Sequence, residues 1–133
     1  MNKVKIQDIK IKLCKDPEKM RYPTWGDYYN VGTPKGQKLV FEILDHKKDI
    51  YTKLTLIHEM VEYTLLEFKG MDMDAIDKFD IDFENDPIRS KMYDEPGSDP
   101  SCPYKKEHEI AEMVARMMCT HLGIDYNLYN TCM

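Results

Sequence analysis

Residues 54–68 read LTLIHEMVEYTLLEF. At about 100° of rotation per residue, Leu54, Ile57, Val61, Leu65 and Phe68 fall on one face of a helix, and His58 and Glu62, four apart, share its flank. Two potential metal ligands therefore point the same way, with Glu59 one step further round. A second stretch, KKEHEIAEMVARMMCTHLG at 105–123, repeats the H-E-x-x-E spacing as His108, Glu109 and Glu112. There His108, Glu112, Ala115 and Cys119 line one edge of an apolar face made by Ile110, Met113, Val114, Met117, Met118 and Leu122. If the two helices pack together, four nitrogen and oxygen donors converge, and Ala115 is small enough for a close approach.

The segments around these helices set the fold class. Val4, Ile6, Ile9, Ile11 and Leu13 alternate as in a half-buried strand, with a phase slip at Asp8 that marks a bulge or a turn. Asp16-Pro17 and Tyr22-Pro23 break regular structure, 25–31 returns to aromatic, strand-favouring residues, 32–37 reads as a turn and 38–45 as another strand. Asp49 is a candidate cap for the first helix, and Gly70 its stop. Seven acidic residues between Asp72 and Asp86 surround Ile76, Phe79 and Phe83 at helical spacing, which predicts a short amphipathic helix with an acidic face. A calcium loop starting at Asp72 would place Asp77 where glycine is needed and Phe83 where the bidentate glutamate belongs. Residues 92–104, MYDEPGSDPSCPY, form a loop placed either as a rim over a site or as a plain connector. After Gly123, Ile124, Tyr126 and Leu128 are expected to cover the core. The expectation is one α+β domain over 1–133: a small N-terminal antiparallel sheet, two main helices and a short acidic helix.

Composition narrows the function. A net charge of −5 argues against nucleic acid as partner, which calls for a basic surface. Nothing approaches membrane-spanning length, and the N-terminus lacks the apolar run of a signal peptide, so a cytoplasmic location is expected. Cys14, Cys102, Cys119 and Cys132 are scattered without C-x-x-C pairing, the pattern of reduced thiols. His46 reads as a surface residue, His121 as a hydrogen-bonded core histidine, and Trp25, Tyr28 and Tyr29 as packing on the sheet.

TLIHEMVEYTL resembles the T-L-x-H-E-x-x-H active-site helix of zincin metallopeptidases, over about twenty residues, with strands preceding it as in a minimal zincin. The resemblance implies that His58 binds zinc and Glu59 is the general base; the second histidine of the family aligns with Glu62, a carboxylate competent to bind zinc or another divalent metal. From about position 52 onward, LIHEMVEY, MDMDAIDKFD, DEPGSDP and YKKEHEIAE also resemble the parts of small bacteriophage and prophage proteins of no assigned activity, which implies action in the host cytoplasm.

Two function classes follow. In a zincin-like metal-dependent hydrolase of peptidase or amidase type, His58, Glu62 and His108 bind the metal, Glu112 ligates or orients His108, and Glu59 takes a proton from water. The other class is a non-catalytic phage or prophage protein that binds a protein or peptide partner, stabilised by metal or metal-free. A di-iron bundle is opposed by the order of its motif, which is reversed here. A pyrophosphatase with Glu59, Glu62, Glu109 and Glu112 on magnesium leaves the histidines without a role. Two ordinary i, i+4 couples would instead contribute roughly 0.2–0.5 kcal/mol each and no chemistry.

Overall fold

The structure, a computed structural model, describes residues 6–21, 24–33 and 36–131. Val4, the Tyr22-Pro23 step, Pro34 and Lys35 of the expected turn, and Cys132 lie outside the described residues. Three strands, β1 (Ile6–Cys14), β2 (Gly26–Thr33) and β3 (Gly36–Leu44), make one sheet in the order β1-β3-β2. Among the described residues, five helices follow: α1 (Asp49–Phe68), α2 (Met73–Asn85), α3 (Arg89–Met92), α4 (Lys105–Leu122) and α5 (Tyr126–Thr131). The class is α+β.

The sheet is mixed, which corrects the all-antiparallel expectation. β2 and β3 are antiparallel, but β1 runs parallel to β3, with a register shift between Ile6 and Asp8 where the sequence slips phase. The end of β1 (Cys14 beside Leu44) and the start of β2 (Gly26 beside Ile43) lie at the same end of β3, so the chain between them crosses that end from one edge to the other. Alternation of side chains reports strands, not their directions.

β3 is central, and Leu39, Phe41 and Ile43 join Tyr28 of β2 against Tyr63 and Leu66 of α1, Ile76 of α2, Cys102 and Tyr104. A second cluster, Tyr51, Leu54, Cys119 and Tyr129, ties the start of α1 to the ends of α4 and α5. The main helices lie antiparallel: Lys69 reaches Glu107 at one end, and Leu54 packs with Cys119 at the other. Asp72 caps α2 by accepting from the Asp74 amide; Asp49 is the first residue of α1 and Lys48 its cap position. Gly70 and Gly123 take the left-handed backbone that stops α1 and α4.

The faces of the two main helices differ from the apolar stripes in the sequence. On α1 the buried positions are Tyr51, Thr52, Leu54, Thr55, Glu62, Tyr63 and Leu66, while Phe68 is 78% exposed. On α4 the buried edge is Glu107, His108, Ala111, Ala115 and Cys119; Ile110, Met113, Met117 and Leu122 face out. The small side chains of Ala111, Ala115 and Cys119 let α4 approach α1 closely, and this approach brings the polar His/Glu edges inside. His46 is buried beside Trp25 and Thr55, and His121 is exposed, both opposite to expectation. Leu128 is also exposed, and Tyr129 takes the core position. Cys14, Cys102 and Cys119 are buried free thiols.

Candidate metal centre

The His58 and His108 rings meet, with centroids 4.9 Å apart. Both stand on the α1–α4 seam, where each begins an i, i+4 pair: His58 Nε2 lies 3.4 Å from Glu62 Oε2, and His108 Nε2 lies 2.8 Å from Glu112 Oε1. The two pairs are joined, because His108 Nδ1 lies 3.0 Å from the same Glu62 oxygen. Tyr28, reaching in from β2, donates its hydroxyl to the other oxygen, Glu62 Oε1, at 2.6 Å. Glu62 is thus a buried carboxylate with three potential donors around it.

Glu95 completes the cluster, its Oε1 2.6 Å from His108 Nε2. It lies in the loop before α4 and escaped sequence reasoning, since a loop glutamate carries no periodicity; only the placing of 92–104 as a possible rim hinted at it. Two residues on, Gly97 lies so close to His108 that a Cβ there would stand 2.4 Å from the ring Cγ. Gly26 of β2 does the same for Glu59, at 2.6 Å from its Cγ. Each glycine is a contact surface for one functional side chain. Glu109, by contrast, points outward and pairs with Lys105, so the second motif contributes only its histidine and final glutamate. That placement removes one of the four carboxylates the magnesium pyrophosphatase reading requires.

Two clefts open on the cluster. One is walled by Tyr28, Asp77, Asp80, Tyr104 and the 95–97 loop; the other by Trp25, Thr55, Ala115, Tyr126 and Tyr129. They share Thr24, Gly26, His58, Glu59 and Glu95. Arg21 pairs with Asp27 at 2.7 Å and also reaches Asp77, although burial outweighs that pairing and leaves Asp27 above the usual carboxylate range.

Burial pushes Glu59 well above the usual carboxylate range, and Glu62, Asp27 and Glu95 push it further. Burial would raise Glu62 too, but its hydrogen bonds with His108 and His58 outweigh that and bring it down to about 2. His108 is raised: burial opposes its charge, yet contacts with Glu112, Glu62 and Glu95 prevail. The same contact with His108 lowers Glu112. Without a cation the buried negative charge favours the protonated forms of Glu59 and His108, and a divalent ion would compensate the same charge.

The donor set fits such an ion. His58 Nε2, Glu62 Oε2 and His108 Nδ1 form one group within 4.8 Å of one another, and Glu95, His108 Nε2 and Glu112 form another. The separations of 3.0 and 3.4 Å in the first group are near the tetrahedral edge of about 3.4 Å that zinc bonds of about 2.1 Å require. His108 Nε2, buried and without a hydrogen bond, is an orphaned donor at the centre of the second. Of the residues singled out in the sequence, His58, Glu59, Glu62, His108 and Glu112 all reach this site.

Compared with known proteins, the chain matches no family model, no curated protein and no solved structure. No helix among the described residues is long and apolar enough to cross a membrane.

Proposed function

We propose that the protein is a metal-dependent hydrolase of zincin-like type, acting on an amide or ester in the host cytoplasm, with a divalent cation, zinc first, in the His/Glu cluster. The observation that carries the reading is that two donor groups from distant segments share buried His108: His58 and Glu62 on the side of its Nδ1, Glu95 and Glu112 around its Nε2. When bound, the cation supplies Lewis acidity, polarising a carbonyl and making water easier to deprotonate. His58 and His108 hold it, and the carboxylates of Glu62 and Glu112 balance its charge. Glu59 borders both clefts beside His58, placed to take the proton of an attacking water and return it to the leaving group. Burial first, and then the neighbouring carboxylates, raise its pKa and make it a stronger base than an exposed glutamate. Gly26 leaves room for Glu59 to hold that position.

The experiment is metal analysis of protein purified without chelator, alongside peptide and ester hydrolysis, for wild type, His58→Ala and Glu59→Gln. His58→Ala should lose metal, and Glu59→Gln should keep metal and lose turnover. Metal-free wild type, or full turnover in Glu59→Gln, refutes the reading. A second reading, a non-catalytic partner-binding protein, is favoured by the outward row Ile110, Met113 and Met117 on α4. Metal retained with no turnover on any substrate, together with a partner lost on Met113→Lys and Met117→Lys, would support it.

A further inference from the structure

We propose that Glu95 is itself a cation ligand, so that cation binding and closure of the 95–98 loop over His108 are one event; this rests on the reading that a cation binds here. The two nitrogens of His108 are differently engaged. Nδ1 makes a hydrogen bond with Glu62, which Tyr28 secures from the other side. Nε2, on a side chain only 6% exposed, lies 2.6 Å from Glu95 and 2.8 Å from Glu112 and makes a hydrogen bond to neither. A proton on Nε2 would lie on a hydrogen-bond line to neither oxygen, whereas a cation needs no such line and would hold the three donors at a wider spacing, about 3.4 Å, than the 2.6 and 2.8 Å seen without it. By engaging the opposite nitrogen, Glu62 also fixes the ring so that Nε2 faces the two glutamates.

The loop is shaped for this contact. Its single 3-10 turn, Pro96–Ser98, is closed by the Ser98 amide on Glu95 O, and Gly97 lies against the imidazole where no side chain could fit. Beyond it, buried Asp99 anchors the loop through Arg89 and Ser101. Of the three donors around Nε2, Glu95 is the most open to solvent, its side chain 49% exposed, so it is the donor that can leave when the loop opens.

Titrating Zn²⁺, with Mn²⁺ in parallel, into wild type and Glu95→Gln by calorimetry tests the inference, with amide hydrogen exchange across 94–101 recorded with and without the ion. Since Glu95 is half exposed, Glu95→Gln should fold as wild type does. It should bind the ion about 10–100-fold more weakly, and the ion should slow exchange in the loop of wild type but not of the variant. If wild type binds and Glu95→Gln binds equally well with the same loop protection, the inference falls and the underlying reading stands. If wild type binds neither ion, both fall.

Discussion

Gly97→Ala places one methyl group against the cluster. Its Cβ would lie 2.4 Å from Cγ of His108, 2.6 Å from Nδ1 and 2.7 Å from Cδ2, where carbon contacts settle at about 3.5–4.0 Å. Over an ångström must be found by moving either the loop or the ring. The ring is held by Glu62 on one side, has Glu95 and Glu112 on the other and lies across from His58, so it cannot turn away freely. Overpacking of this kind costs about 1–3 kcal/mol, and losing the charged hydrogen bond to Glu62 adds about 1.5 kcal/mol or more. The expected loss is about 2.5–4.5 kcal/mol, which at this chain length lowers Tm by about 4 °C per kcal/mol. Urea denaturation followed by circular dichroism measures it, with Gly32→Ala as control, because a Cβ at Gly32 meets only Gln37 at 3.7 Å. If Gly97→Ala falls within about 0.5 kcal/mol of the Gly32→Ala protein, the ring is not pinned as described.

Glu62→Gln should destabilise by about 3–5 kcal/mol, since Tyr28, His58 and the Nδ1 side of His108 all lose the one carboxylate they share; Tyr28→Phe, losing one hydrogen bond to a charged group, should cost about 1.5–3 kcal/mol. The opposite order in urea titrations would show that the carboxylate is not the hub. The pH profile in chelator follows from the shifts. Glu62, held down to about 2, contributes on the order of 3 kcal/mol above its unfolded value of about 4.5, lost as pH falls toward 2. Glu59 and His108 are shifted upward, so their contributions are lost as pH rises beyond about 4.5 and about 6.5 respectively. Cation-free stability should therefore peak near pH 5, and a urea midpoint highest at pH 8 would contradict the assignment.

Periodicity and spacing showed the strands, both main helices, the acidic helix and the two His/Glu pairs, because each pair lies four residues apart on one helix. They misjudged the buried faces, since the sequence shows where Ile110, Met113 and Met117 line up but not that Ala111 and Ala115 let α4 press its other edge against α1. The direction of β1 depends on a crossing at the end of β3 that leaves no pattern in the residues. His46 and His121 exchanged environments because isolated histidines take theirs from tertiary contacts, here Trp25 and Thr55 for His46. Glu95, Gly26 and Gly97 were invisible for the same reason: their importance is a distance to a side chain far along the chain.

His108 stands at the α1–α4 seam and belongs to both donor groups, so a cation held by either depends on it. Native mass spectrometry of protein purified without chelator tests this directly, with one divalent ion per chain expected in wild type and none in His108→Ala. A wild-type chain at its bare mass, with a melting temperature unchanged by added zinc, would contradict it.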